Sequence, residues 1–228
     1  MPPAPEHPAR PAAAGFAPWT PPPGLLATRL ETPRTILRPF APDDAQALYR
    51  TIADIRESLL PWLPWARTAH PDPEWTLWWI LEQRRLAREG NLDMFVLGVF
   101  DRAGGAVVGG SGISRVRPEL RAGETGYWVR PDRRGEGLCT EFTARVISWA
   151  LAAPEGGGLG LRRVEIFCSA ENAASARIPE KLGLRREVHA RLDHFVPGRG
   201  ATDRLGWGVL AEEWDAQRHA RRNACRVP

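Results

Sequence analysis

The segment from Gly123 to Ala153 constrains the fold most, because its pattern predicts a strand, a glycine-containing loop and a helix in close succession. The strand is "GETGYWV" (123–129), and the loop "RPDRRGEG" carries Gly135 and Gly137. The helix that follows, "EFTARVISWALAA", presents one apolar face, made of Phe142, Val146, Ile147 and Leu151. A helix that starts directly after such a loop packs back against the strand before it.

The same loop predicts an anion site. The first N–H groups of a helix have no partner within it, and the helix dipole adds partial positive charge there. Gly135 and Gly137 have no Cβ, so the backbone can come close to a ligand. The loop lacks the Gly-Lys-Ser/Thr ending that holds a nucleoside triphosphate with its magnesium. We therefore expect a different phosphate-bearing ligand.

Composition excludes several classes of protein. The 228 residues are 43% hydrophobic and 25% charged, as in a globular domain with a sizeable core. The three cysteines (Cys139, Cys168 and Cys225) form no CxxC pair, so we expect neither a disulfide framework nor a metal site, and a cytoplasmic location. The net charge of +4 is mild, and no basic stripe with interleaved aromatic residues predicts direct nucleic-acid readout. No apolar run is long enough to cross a membrane.

Periodicity predicts a mixed α/β domain in the order β-α-α-β-β-β-α-β-α-β-β, followed by a final helix. Asp72 and Pro73 are suited to start the second helix, while Asn172 and Gly183 are suited to begin and close the fourth. The Pro/Ala-rich residues 1–28 predict a flexible leader. We place the folded domain at 29–216 and a basic C-terminal tail at 217–228.

Two motifs resemble those of the GCN5-related N-acetyltransferase (GNAT) superfamily. "GETGYWVRPDRRGEGLCTE" is similar to the acyl-CoA motif Arg/Gln-x-x-Gly-x-Gly/Ala, with Cys139 where the family has Gly or Ala. "NAASARIPEKLGL" is similar to the family's Asn-x-x-Ser followed by Lys-Leu-Gly-Phe, with Leu184 in place of Phe. Pro179 is unexpected inside a helix, because it removes one amide donor. The openings "LETPRTILRP" and "ESLLPWLPWA" resemble the RimJ/RimL-like ribosomal-protein branch.

The resemblance implies a single GNAT-type domain with a central, mixed but mostly antiparallel twisted sheet, splayed between its fourth and fifth strands and flanked by helices. It implies acetyl-CoA as co-substrate and no metal. The loop amides would hold the pyrophosphate, strand residues the pantetheine arm, and the start of the fourth helix the sulfur region. The implied cofactor-binding residues are Trp128, Val129, Arg134, Gly135, Glu136, Gly137, Leu138, Cys139, Thr140, Asn172 and Ser175.

Acetyl transfer to an amine needs a base to take a proton from the amine and an acid to protonate the departing thiolate. The resemblance implies Glu124 as the base, with Asp193 and His194 as rivals. Ser175 matches the position proposed to protonate the thiolate or bind its sulfur. Each residue has a structural alternative: a surface strand glutamate for Glu124 and a solvent-facing helix serine for Ser175.

The acceptor is less constrained by the sequence. Trp62 and Trp65 lie in the connection between the first two helices, which lines the acceptor groove in the family, and we expect them to contact the substrate. The leading hypothesis is acetylation of a protein N-terminal α-amine. The alternatives are a small amine (an amino acid, a polyamine or an aminoglycoside) and a non-catalytic CoA-binding module. The oligomeric state, a homodimer included, is left open.

Overall fold

The computed structural model describes residues 19–224, with side chains described as far as residue 220. Residues 1–18 of the predicted leader and 225–228 of the predicted tail lie outside the described residues. Within that range the chain forms five α-helices: α1 (Ala45–Leu59), α2 (Pro73–Arg88), α3 (Leu138–Leu151), α4 (Ala173–Leu182) and α5 (Ala216–Ala224). It forms nine strands: β1 (Leu30–Glu31), β2 (Thr35–Arg38), β3 (Met94–Asp101), β4 (Val107–Arg117), β5 (Ala122–Glu124), β6 (Tyr127–Val129), β7 (Arg163–Ser169), β8 (Arg185–Val196) and β9 (Gly200–Leu210).

The strands form one sheet in the order β1-β2-β3-β4-β5-β7-β9-β8. The strand β6 pairs with the same edge of β4 as β5 does, but with an earlier part of β4. The β5–β7 pair is parallel, while every other pair in the described sheet is antiparallel. The predicted mixed and mostly antiparallel sheet is thereby confirmed. Within residues 19–224, no helix combines the length and apolar character needed to span a membrane.

The two faces of the sheet carry separate hydrophobic clusters. Phe95 and Leu97 of β3 pack with α3, whereas Val96 between them packs against the cluster that holds α1. This division follows from the alternation of side chains along a strand. The predicted apolar face of α1 is buried over its whole length, at Leu48, Ile52, Ile55 and Leu59. Burying each such side chain stabilises the fold by roughly 1.5–3 kcal/mol.

The helix ends follow the predicted capping chemistry. The Asp72 carboxylate accepts from the Trp75 amide at 2.6 Å and starts α2. The Asn172 side chain accepts from the Ser175 amide at 3.1 Å and starts α4. Gly183, with φ +76°, ends α4 in the left-handed conformation that a residue without a Cβ adopts readily. These caps fix where α4 begins relative to the end of β7.

The described part of the predicted leader, residues 19–28, packs against the domain, whereas the composition predicted a flexible leader. Trp19 is buried, and its indole N–H donates to the Leu159 carbonyl at 2.9 Å. Leu25 is also buried in the cluster around α3. The Pro-rich composition predicts an unfolded segment, but the two buried side chains, Trp19 and Leu25, hold residues 19–28 against the domain.

Candidate active site

The sheet opens between β6 and β7. The segment that we predicted as one strand, 123–129, divides into β5, which pairs with both β4 and β7, and β6, which pairs with β4 alone. The Arg130 amide donates to the Val108 carbonyl of β4 at 2.9 Å. Backbone N–H and C=O groups of successive residues in a strand face opposite sides, so those of Tyr127 and Val129 face away from β4, toward the opening. The opening therefore offers strand-like hydrogen bonds to an extended ligand.

The glycine loop lies next to this opening and begins α3. Gly135 and Gly137 have φ values of +82° and +83°, which glycine adopts without steric cost. A Cβ added at Gly135 would meet no atom within 4 Å, so open space adjoins the loop backbone. Thr140, in the first turn of α3, is 6% exposed, and its buried hydroxyl finds no hydrogen-bond partner among the described residues. The helix start and the open space beside Gly135 fit a pyrophosphate, and an anion there is a candidate partner for the Thr140 hydroxyl.

The two arginines just before Gly135 differ in whether a carboxylate already pairs with them. Arg133 donates to Asp101 at 2.7 Å and to Glu136 at 3.2 Å, so its charge is already neutralised. Arg134 is exposed and makes one long contact, 3.4 Å to the Ser58 hydroxyl, and it pairs with no described carboxylate. Of the two, Arg134 is the better candidate for a phosphate contact.

Cys139 lies in α3 and Cys168 in β7, and both are near Tyr127 of β6. Burial raises the pKa of the Cys139 thiol to about 12 and that of Cys168 to about 11. Both thiols are therefore neutral near pH 7, and neither is an activated nucleophile. Among the described residues, no three His, Cys, Asp or Glu side chains gather closely enough to hold a metal ion.

Ser175 lies in the first turn of α4, at the β7 side of the opening. Its hydroxyl donates to the Tyr127 phenol oxygen at 3.3 Å, and the phenol donates to the Ser175 carbonyl at 2.9 Å. Tyr127 was not among the predicted site residues. A chain position alone cannot reveal such a contact, because the two residues are 48 positions apart.

The predicted bases differ in their distance from the opening, their exposure and their ion-pair partners. Glu124 ends β5 at the start of the opening, where its side chain is 21% exposed and accepts from Arg115 at 3.2 Å. Asp193 lies on the outer strand β8, is 51% exposed and pairs with Arg204 at 2.7 Å. Burial, with Arg204 nearby, lowers the pKa of His194. The structure brings Glu124 to the opening and leaves Asp193 at the edge of the sheet.

The predicted acceptor residues lie in the connection between α1 and α2. The guanidinium of Arg199, in the turn between β8 and β9, lies 5.2 Å from the centre of the Trp62 ring. Arg199 also donates to Glu171, just before Asn172, at 2.7 Å. Trp65 is partly exposed and packs edge-on against His70, with ring centres 6.3 Å apart. Arg199 was missed, because the sequence alone does not show that the hairpin turn reaches Trp62.

Comparison with known proteins adds three findings. The family described as "Acetyltransferase (GNAT) domain" matches residues 34–185. YdaF of Bacillus subtilis (strain 168), whose name provisionally calls it a ribosomal N-acetyltransferase, is 25% identical over 190 residues, which cover 80% of this chain and 94% of YdaF. Mycobacterium smegmatis RimJ, solved in complex with a CoA-disulfide, is 27% identical with a TM-score of 0.68, covering 87% of this chain and 94% of RimJ. The ribosomal-protein-S5-alanine acetyltransferase of Vibrio fischeri is 23% identical with a TM-score of 0.71, covering 82% and 99%, and shows the same fold.

Proposed function

Since the chain belongs to the GNAT family of acetyltransferases, we propose that it transfers an acetyl group from acetyl-CoA to the N-terminal α-amine of a protein. The observation that carries the proposal is the open edge of β6 beside a glycine loop whose buried Thr140 hydroxyl has no partner among the described residues. The names of YdaF and of the S5-alanine acetyltransferase support a ribosomal-protein-like acceptor. RimJ, with its bound CoA-disulfide, supports the donor.

In this proposal the chain holds the donor at three places. The amides from Arg134 to Thr140 and the Thr140 hydroxyl bind the pyrophosphate, with the Arg134 guanidinium as a further phosphate contact. The backbone groups of Tyr127 and Val129 on β6, which face the opening, bond the pantetheine arm as a neighbouring strand would. Trp128, which we predicted for this role, has its backbone groups directed at Gly110 of β4 instead. Asn172 and Ser175 border the thioester at the start of α4.

Glu124 acts as the base in this proposal, and Ser175 as the hydrogen-bond donor to the departing sulfur. Glu124 lies where the sheet opens and is partly shielded from water, whereas Asp193 is held by Arg204 on the outer strand. An α-amine has a pKa of about 7.7–8.0, so a large fraction is neutral near pH 7.5, whereas a lysine side chain near about 10.4 is almost fully charged. An N-terminal amine therefore asks less of a single carboxylate than a lysine does.

Trp62 and Trp65 are proposed to contact the acceptor from the α1–α2 connection. We propose a catalytic domain that spans 29–216, to which residues 19–28 add the Trp19 anchor. The alternatives are a small-molecule amine acceptor and a non-catalytic CoA-binding module. A carboxylate at the opening beside an acetyl-CoA-compatible slot favours catalysis over the module.

An acceptor screen tests the proposal. The purified chain is incubated with acetyl-CoA and peptides that have identical sequences, each containing an internal lysine, with either a free or a blocked N-terminus. Free CoA thiol and the mass of the peptide are measured, and a parallel panel contains small amines. We expect thiol release and one added acetyl group only with free N-termini. Turnover confined to small amines would favour the first alternative, and acetyl-CoA binding without any turnover the module.

A further inference from the structure

The backbone of α4 has a gap in its hydrogen bonds at Ser175. In an α-helix the carbonyl of residue 175 accepts from the amide of residue 179. Here that residue is Pro179, which lies inside α4 and has no N–H to donate. The Ser175 carbonyl therefore needs a donor from outside the helix.

Tyr127 is that donor. Its phenol donates to the Ser175 carbonyl at 2.9 Å and accepts from the Ser175 hydroxyl at 3.3 Å. Tyr127 lies on β6 and Ser175 on the β7 side of the opening, so this pair of bonds crosses the gap in the sheet. Burial raises the pKa of Tyr127 well above its usual value, so the phenol keeps its proton at any working pH.

We propose that Tyr127 is a positioning residue for acetyl transfer, which fixes Ser175 at the opening by supplying the hydrogen bond that Pro179 cannot make. The inference rests on the proposed function, in which Ser175 borders the thioester. The amide side of Ser175 is held by Asn172, and its carbonyl and hydroxyl are held by Tyr127. With its amide and carbonyl held, Ser175 keeps a fixed place at the opening, and its hydroxyl turns its proton from the 3.3 Å contact with Tyr127 to donate to the departing sulfur.

Loss of the phenol hydroxyl should have a specific effect. The Ser175 carbonyl would lose the donor that stands in for the missing Pro179 amide, so the first turn of α4 would be held less firmly at the opening. Among the described residues, the Ser175 hydroxyl would keep only its contact with the Cys168 thiol. Binding of the donor depends mainly on the loop and on the β6 backbone, which the substitution leaves in place. A positioning role therefore predicts a lower kcat with an unchanged KM for acetyl-CoA.

The test compares Tyr127→Phe, Ser175→Ala and the double variant with wild type. Tyr127→Phe should lower kcat by roughly five- to tenfold, as expected from one lost hydrogen bond, with the KM for acetyl-CoA within about twofold. The double variant should be no slower than Ser175→Ala, because Tyr127 acts through Ser175. Tyr49→Phe, at the other tyrosine of the chain, is the matched control and should keep wild-type kcat.

A second variant separates positioning from simple loss of stability. Pro179→Ala restores an amide donor to the Ser175 carbonyl, so it should recover the thermal midpoint lost in Tyr127→Phe and yield a folded protein for kinetics. An unchanged kcat in Tyr127→Phe, or losses that multiply in the double variant, would overturn the inference. A wild-type protein without turnover on any amine would instead count against the proposed function. The thermal-midpoint cycle between Tyr127 and Pro179 would still test their shared hydrogen bond.

Discussion

Arg34, the residue before β2, and Glu141 form an ion pair that ties the start of β2 to the start of α3. The guanidinium donates from Nη2 to Oε2 at 2.6 Å and from Nε to the same oxygen at 2.9 Å, and the Arg34 amide donates to Oε1 at 3.1 Å. Glu141 is 0% exposed. A further bond, 3.0 Å from Nη1 to the Glu136 carbonyl, extends the contact to the glycine loop.

Replacing Arg34 by Leu should destabilise the fold strongly. It removes the guanidinium from a fully buried carboxylate, a change that typically costs about 3–5 kcal/mol of unfolding free energy. Arg29→Leu is the control, because the Arg29–Glu31 pair is exposed and worth about 1 kcal/mol or less. Urea unfolding of the two variants measures the difference. Equal losses would show that the buried pair contributes no more than the exposed one.

Gly135→Ala should weaken acetyl-CoA binding more than it weakens the fold. The new Cβ points into the open space that the proposed pyrophosphate occupies, and the positive φ adds about 1–2 kcal/mol of strain. Gly157→Ala is a matched control, with φ +77° and the same open surroundings in a different loop. We expect similar thermal midpoints, but at least a tenfold rise in Kd for Gly135→Ala alone. Calorimetric titration with acetyl-CoA provides the comparison, and equal affinities would rule out a pyrophosphate at this loop.

Glu124→Gln should lower kcat by about 10²–10⁴-fold, the range for loss of a general base. The amide oxygen of Gln can still accept from Arg115, so the local structure should persist. Asp193→Asn is the control and should keep most of the turnover, because Asp193 pairs with Arg204 on the outer strand. Steady-state kinetics with a free-amine peptide distinguishes them. The reverse order of losses would identify Asp193 as the base.

His70 should make the stability of the protein depend on pH. Burial, with Arg56 nearby, lowers the pKa of His70 from 6.5 to about 4. Thr76 donates its own hydroxyl proton to the Asp72 carbonyl, so His70 donates to Thr76 from Nδ1 and is neutral in the folded state. Because the unfolded chain binds a proton at pH 6.5 and the folded chain does not, stability is complete above pH 6.5 and falls until pH 4. The expected loss between pH 7.5 and pH 5 is about 2 kcal/mol.

His70→Asn tests this prediction. Asn tolerates the positive φ of this position, +54°, and its side-chain amide can replace the Nδ1 donor. The variant should lose the part of the pH slope that belongs to His70, while the contribution of His194 in the same direction remains. Urea midpoints at a series of pH values measure the slope. A slope equal to that of wild type would assign the pH dependence to other groups.

The features that the sequence predicted correctly are local. The caps Asp72, Asn172 and Gly183 act within one helical turn, and the glycine loop is defined by consecutive residues. Local patterns report such features because their physical causes lie within a few residues.

The features that the sequence did not predict depend on distant partners. The division of 123–129 into β5 and β6 occurs because β7 pairs with one half only, and no residue of the segment encodes that. The contact of Arg199 with Trp62 depends on how far the β8–β9 hairpin extends. The order of residues 19–28 depends on a carbonyl at Leu159, 140 positions from Trp19.

The opening in the sheet also links the stability of the protein to its ligand supply. Backbone groups of β6 that a continuous sheet would pair face the gap instead, and in the free protein they depend on water for hydrogen bonds. A ligand that fills the gap adds RT ln(1 + [L]/Kd) to the unfolding free energy, about 2.7 kcal/mol at a hundredfold excess over Kd. Resistance to heat and to proteolysis would then rise and fall with the concentration of acetyl-CoA. The lifetime of the folded protein would be longer in a cell with abundant acetyl-CoA than in a cell depleted of it.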